Sequence, residues 1–489
     1  MALFESILTL LLLAILLLQV SRRLGIPYPT MLAAAGLCVA ALPWAPDITL
    51  DPHLVLVLFI APAILDAAYD FPLRAIRQYW MPLLALAFGA VVVTTAAVAW
   101  VGVALAGLPV AAAIALGAIV SPPDAAAAVA MLNRPSVPRK TATVLKGESL
   151  LNDATALMIF SVAVRITYAD ATPGSVLPQL ALAVPGGIVL GIVAGRVAGW
   201  LVPYLAGTLG SILFQFAATF SVWLIADRLG LSAILAVVAT AMTAAQFSGT
   251  ATARDRLHTN SIWSVAVFML NVLAFLFVGL QARAIVRVLD PMELRRALAF
   301  SFVVLAVVIA VRIVLVMTYN RAIQPAYRRL GYGPGPTIKQ GLLASWCGMR
   351  GMVTLAAALA LPGDFPQRGL IVLSALTVVL GTLVIQGLTL EPLIRLLRFP
   401  EDTSQQEETR LARATLAEIA ARAHAESERV DPHDDPVLRL AMVQRQRDAL
   451  RELYTAARIE EDVFRAIEQE LDLEEVAATR DRPFNLVDA

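Results

Sequence analysis

Asn152 and Asp153 stand side by side in front of an apolar run, Ala154-Thr155-Ala156-Leu157-Met158-Ile159-Phe160. An ionisable residue inside a membrane span costs about 2.5–3.5 kcal/mol on insertion scales, so it marks a functional site by default. A second acid, Asp124, follows tandem prolines in Ser121-Pro122-Pro123-Asp124, and an arginine, Arg350, lies among glycines in Cys347-Gly348-Met349-Arg350-Gly351. Proline removes a backbone donor and blocks helix continuation, while glycine lets the chain leave helical geometry. Buried carboxylates and a buried cation in interrupted helices are what an ion-coupled transporter needs.

The chemistry open to such an acid is competition. Burial disfavours the bare carboxylate, which then takes either a proton or a hard monovalent cation at one site. Carrying one in each direction is antiport. Asp153 is assigned this role. Ser149, one turn earlier at i−4, shares its helical face and supplies a neutral oxygen ligand, and Asn152 adds polarity without charge. An Asn-Asp pair also fits a turn or a helix cap, but eight apolar or small residues follow it without a glycine or proline.

Asp124, just past a helix break, faces unsatisfied amides and the positive end of a half-helix dipole, and it caps the helix and lines the site together. Arg350 offsets half-helix C-terminal carbonyls in the same way. Glu148 lies five residues before Asp153 and points to another face. With Arg350 and Arg312 both in apolar spans, pairing is close to compulsory, because an unpaired buried charge is strongly destabilising. Glu148 with Arg350, and with Arg312 beside them, is therefore read as structural ion pairing and not as a transport ligand. Asp66, in Phe59-Ile60-Ala61-Pro62-Ala63-Ile64-Leu65-Asp66, either faces the cavity from a different domain or lies near the cytoplasmic end with Asp70. His53, His258, His424 and His433 fall at span edges, in loops or in the tail, which leaves intramembrane proton handling to carboxylates.

The scaffold for these residues follows from composition. The chain has 489 residues, 59% hydrophobic and 15% charged, with a mean hydropathy of +0.75. That excludes a soluble domain and implies an all-α polytopic membrane protein in contact with lipid, with no nucleic-acid partner. Apolar runs near the ~20 residues a span requires fall at 3–20, 28–43, 53–70, 79–105, 109–132, 145–168, 177–204, 208–228, 231–249, 260–284, 297–322, 337–361 and 367–396, thirteen helices in all. The first is a retained span, because Glu5 precedes it and Arg22-Arg23 follow it, the reverse of a cleavable signal. Cys38 and Cys347 both lie in apolar spans, so no disulfide framework exists.

The fifth and twelfth spans are the interrupted ones. If the first six and last six helices form an inverted repeat around the seventh, these two are counterparts, and paired interruptions point to a midplane site. Arg22-Arg23, Arg74/Arg77, Arg134/Arg139/Lys140, Arg254/Arg256 and Arg321/Arg328/Arg329 follow odd-numbered spans, which puts the N-terminus outside and the tail in the cytoplasm. Loop 282–297 runs against this rule, with Arg283, Arg287, Arg295 and Arg296 beside Asp290 and Glu293. Residues 400–489 hold 22 of the 37 acids and 12 of the 38 bases, a local balance of −10, and the remainder carries +11. Within this tail, Leu450, Leu453, Ala457, Val463, Ile467 and Leu471 recur near helical spacing across 443–476, and Asp431-Pro432 and Asp435-Pro436 divide it from 405–430. It is expected to be an amphipathic helix that docks on the membrane part or on a twin, with no metal or nucleophile pattern.

The run Gly147-Glu148-Ser149-Leu150-Leu151-Asn152-Asp153-Ala154, with Gly348-Met349-Arg350-Gly351 and Asp124, resembles the bacterial sodium/proton antiporters of the NhaP and NHE type over residues 1–398. The resemblance implies thirteen spans in a six-helix inverted repeat with spans five and twelve broken and crossing. It implies a homodimer in the inner (plasma) membrane and a core of spans 4–6 and 11–13 that rides as an elevator against a dimerisation domain, with 399–489 as a cytoplasmic tail open to an unidentified regulator. It also implies cation binding at Ser149 and Asp153, support from Asn152 and Asp124, and a Glu148–Arg350 bridge. Asp66 and the Pro123 main-chain carbonyl are further candidate ligands. No cofactor is implied beyond the transported Na+ and H+. Two departures bear on ion preference: the family usually has Thr where Pro123 stands, and often Glu where Asp66 stands.

Na+/H+ antiport leads, and K+/H+ antiport by the same site is the alternative, since one carboxylate and one hydroxyl do not fix ion radius. An intramembrane protease, the enzymatic alternative, needs paired aspartates or a Ser/His pair; a channel needs a continuous polar pore. The few, clustered polar residues favour neither.

Overall fold

The computed structural model describes residues 2–24, 27–40, 54, 56–124, 137–168, 173–205, 208–247, 252–286, 291–330, 335–400, 403–426 and 436–478. Every regular element among them is helical. Among the described residues, seven helices are long and apolar enough to cross a membrane, at Trp80–Ala106, Arg139–Tyr168, Leu182–Val202, Gly210–Arg228, Ala253–Phe277, Met292–Pro325 and Arg368–Leu397. Shorter apolar helices, Leu12–Ser21, Tyr28–Ala40, Val57–Tyr69, Val110–Val120 and Ala233–Ala245, coincide with other expected spans. The second half of the expected fifth span, 125–132, lies outside the described residues, as do Arg134, His53, His433 and the side chains of Arg283, Arg287 and Asp290.

The chain begins with α1 (Ala2–Leu24), α2 (Tyr28–Ala40) and α3 (Ala61–Tyr69). After α4 (Leu73–Gln78), α5 (Trp80–Leu84) runs through a π-helical stretch, Ala85–Ala90, into α6 (Val91–Ala106). The Val and Thr run of α6 is a poor helix former in water, but in lipid a backbone that satisfies itself internally has no competitor. α7 (Val110–Val120) has no polar side chain, and eight of its eleven residues are buried, as expected of a helix that is apolar all round. It lies against α6 backbone to backbone: a Cβ on Gly117 would sit 2.5 Å from the Thr95 carbonyl oxygen.

α8 (Arg139–Tyr168) carries the Asn-Asp pair. Its close neighbours on one side are Phe71 and Leu83, which a Cβ on Gly147 would meet at 2.6 and 2.7 Å. Then come α9 (Pro173–Leu205), α10 (Leu209–Arg228), α11 (Ala233–Ala245), α12 (Ala253–Val286) and α13 (Pro291–Leu330). The expected twelfth span is two half-helices, α14 (Ile338–Trp346) and α15 (Met352–Leu359), parted at Cys347–Gly351. Thr337 and Gln340 form a capping box at the start of α14. α16 (Arg368–Leu397) follows and contributes Leu376, Val379, Leu383 and Leu390 to a core with Leu32, Leu343 and Met349.

Two compact units can be separated. One comprises Met1–Ala194, Thr219–Met242 and Val267–Pro400, and holds all of the candidate site residues. The other comprises Gly195–Ala218, Thr243–Ala266 and Glu401–Ala489.

The tail folds as α17 (Ser404–Glu426), α18 (Pro436–Thr455) and α19 (Glu461–Ala478) around Ala412, Leu416, Val443, Leu450, Val463, Ile467 and Leu471. The helical spacing read across 443–476 is thus two helices. The chain turns at Ala457, which takes a left-handed φ of 61°, and the Arg458 N–H reaches back to Leu453 O at 2.9 Å. Arg256, in the first turn of α12, grips Asp472 through Nε at 2.8 Å and through a second bond from its terminal nitrogen. Arg447 shares Asp472 at 2.8 Å and also holds Glu475 at 2.6 Å. Asp472 is 3% exposed, and this one carboxylate holds the buried guanidinium of Arg447 and the partly buried one of Arg256. Asp472→Asn should therefore cost about 3–5 kcal/mol of tail stability, read as faster proteolysis of the tail in the full-length protein; an unchanged cleavage rate would contradict the network's role.

Candidate functional site

Four residues of α8 fall into two rows with different jobs. Glu148 and Asn152 are four apart and share one row; Ser149 and Asp153 share the next. The first row is sealed, at 1% and 0% exposure. In the second, Asp153 keeps 8% exposure and Ser149 is half-buried.

The sealed row does anchoring. Glu148 receives both terminal nitrogens of Arg312, at 2.5 and 2.9 Å, and Arg312 also donates to the Ala344 carbonyl of α14 at 3.2 Å. Arg312 reaches this pair past Gly348, where a Cβ would meet its Cδ and Nε at 2.5 Å. Asn152 donates through Nδ2 to the Pro123 carbonyl at 2.9 Å, which ties α8 to the break after α7. The same carbonyl was offered above as a cation ligand; here it accepts a side-chain amide.

The bridge expected between Glu148 and Arg350 is not the one formed. Arg350, 1% exposed, turns instead to backbone: Nε donates to Val120 O at 3.0 Å, one terminal nitrogen to Ser121 O at 3.3 Å and the other to Gly348 O. Its own N–H donates to Thr382 Oγ1 at 3.0 Å. The reason is the helix break. The last carbonyls of α7 have no following turn to bond, and a buried carbonyl left unpaired is expensive. A guanidinium with five donors in a fixed fork meets several at once, while Arg312 is left as the partner of Glu148.

The two breaks meet directly. The Asp124 N–H donates to Met349 O at 2.7 Å. The Asp124 carboxylate packs onto Gly351, the N-cap of α15, where a Cβ would collide with it. An acid thus stands at the N-terminal end of one half-helix and an arginine at the C-terminal end of another, each facing the sign of partial charge it stabilises. Asp124 is also the electrostatic neighbour of Asp153.

Asp66 is placed in the last turn of α3, with Asp70 as the C-cap, whose N–H bonds Asp66 O at 3.3 Å. The acid that bears on it electrostatically is Asp70. Thr382 was missed: it is one of four hydroxyl side chains in a long apolar helix, bonded within it to Val378 O at 2.8 Å, and nothing local distinguishes it.

The transmembrane sodium/hydrogen exchanger family model matches residues 7–396. A protein of Mycobacterium tuberculosis named as an uncharacterised Na+/H+ exchanger is 30% identical, over 93% of this chain and 92% of that one. A sodium, potassium, lithium and rubidium/H+ antiporter of Bacillus subtilis is 29% identical over 75% of this chain and 57% of its own. Among solved structures, the sodium proton antiporter MjNhaP1 from Methanocaldococcus jannaschii superposes with a TM-score of 0.65 at 18% identity, covering 82% of this chain and 100% of that chain, a likeness of fold.

The pairing found here separates two arginines by double-mutant cycles. Glu148→Ala and Arg312→Ala should each lose about 3–5 kcal/mol, with the double variant losing far less than their sum. Glu148→Ala with Arg350→Ala should be closer to additive in thermal unfolding. The reverse order of coupling would restore a Glu148–Arg350 bridge.

Proposed function

Because the chain belongs to the transmembrane sodium/hydrogen exchanger family, we propose that it exchanges cytoplasmic Na+ for external H+ with Asp153 as the shared site. The observation that carries this is the second row of α8: Asp153 is buried but not sealed, one turn past the Ser149 hydroxyl and beside the charge of Asp124. A proton and a cation then compete for one carboxylate, and each half-cycle carries one of them. Ser149 supplies a neutral oxygen to the cation. Asn152 and Pro123 hold the site's walls, and Asp124 stays ionised at the α15 N-terminus. Asp66, beside Asp70, adds negative charge along the cation's route.

In this reading the molecule has thirteen spans in a six-helix inverted repeat, with its N-terminus outside and its tail in the cytoplasm at the inner (plasma) membrane. Residues 1–398 form the transporter and 399–489 the tail, open to a regulator. A core of spans 4–6 and 11–13 moves as an elevator against a dimerisation domain, and two copies pair. Support for a moving core comes from the polar ties among α7, α8, α13, α14 and α16 at the crossing, which bind these elements to one another. K+/H+ exchange is the second reading, favoured by the relative named for potassium and rubidium as well as sodium.

Exchange is one cation for one proton, because the position beside Asp153 is Asn152, which carries no second exchangeable proton. In proteoliposomes under a pH gradient, Na+, Li+ and K+ tested in turn should show Na+ supporting exchange best. Asp153→Asn should abolish exchange with expression and dimerisation intact; activity near wild type would remove Asp153 from the mechanism. An imposed membrane potential of either sign should leave the rate unchanged, since no net charge crosses the field. A rate that follows the potential would bring Asp124 back as a titrating group.

A further inference from the structure

Gln386 in α16 is 1% exposed, and neither its Oε1 nor its Nε2 has a hydrogen-bond partner among the described residues. A fully buried amide with both ends unmet is among the costlier features a core can keep, and an apolar side chain of the same size would be preferred on stability alone. Its surroundings give it a purpose. Thr382, one turn earlier on the same face of α16, receives the Arg350 N–H at the α14–α15 break. On the next residues of α16, Thr30 of α2 donates to Leu383 O at 2.9 Å, and Gly387 leaves no room for a Cβ against the Thr30 hydroxyl. Gln386 is thus wedged where α2 and α16 close on the break, and Tyr28 at the start of α2 is an electrostatic neighbour of Asp124.

A neutral amide suits this place. Its oxygen accepts and its nitrogen donates, so it holds a water on either side without adding charge near the break. Water held by a buried polar group needs two to four partners, which the two amide atoms begin to supply. We propose that Gln386 is a hydration site of the transport path: it holds a water molecule that the cation retains as it passes the broken half-helix. This inference rests on the antiport reading, and it adds a residue that neither charge nor motif marks.

The test sets stability against transport. Gln386→Leu, with Gln386→Met as a second apolar replacement of similar volume, removes the unmet amide. Both variants should unfold at a higher temperature than wild type in detergent. In proteoliposomes both should lose Na+/H+ exchange by roughly tenfold at low Na+, mainly through a raised KM, and Gln386→Asn should restore part of it. Wild-type exchange in the apolar variants, whatever their stability, would overturn the proposal. So would a fall in both stability and exchange, which would reveal a structural partner for the amide. A wild-type protein that exchanges no cation would instead defeat the antiport reading, so the two failures are distinguishable.

Discussion

A helix broken inside a membrane presents carbonyls and amides that water does not reach, and each must be met from within the protein. In this chain that demand falls on Arg350. Its fork takes the carbonyls of Val120, Ser121 and Gly348, and its own N–H is met by Thr382. The two extended segments are then joined by the Asp124 to Met349 backbone bond. Without an arginine at this point the end of α7 would hold unpaired carbonyls, and α14 and α15 would have no fixed crossing. The position of Asp124 over Gly351 depends on that crossing, and so does the Pro123 carbonyl to which Asn152 is tied.

The same logic explains why α8 has two polar rows. An acid that must change state during transport cannot also be the acid that holds the fold together, because a permanent ion pair fixes its charge. The helix separates these tasks by one residue. Glu148 is committed to Arg312, deep and bidentate, with an additional bond from Arg312 to α14. Asp153, on the neighbouring row, keeps a small exposure, which the proposed exchange at this carboxylate requires. Small residues supply the space: Gly348 lets Arg312 through and Gly147 lets Phe71 and Leu83 close against α8.

Much of this was legible in the sequence because charge is rare in an apolar chain. Asp124, Asp153, Glu148, Arg312 and Arg350 announce themselves as the ionisable members of hydrophobic runs, and tandem proline and glycine mark both breaks. What sequence does not give is who pairs with whom. Glu148 and Arg312 are 164 positions apart, and two arginines of equal charge competed for one acid on paper. The outcome depends on which guanidinium the unmet carbonyls of α7 require, a three-dimensional fact. The turn at Ala457 was hidden for a related reason: alanine carries no turn signal, and the helical spacing on either side continues across it. The grip of Arg256 on Asp472 joins residues 216 apart and leaves no local trace.

In the proposed cycle, proton and cation displace one another at a single carboxylate. Adding Na+ to the purified full-length protein in weakly buffered detergent solution and measuring the protons released tests this. Release of about one proton per chain is expected, with apparent Na+ affinity weakening as pH falls, because an occupied carboxylate must lose its proton first. Saturable Na+ binding with no proton release, or with an affinity independent of pH, would contradict it.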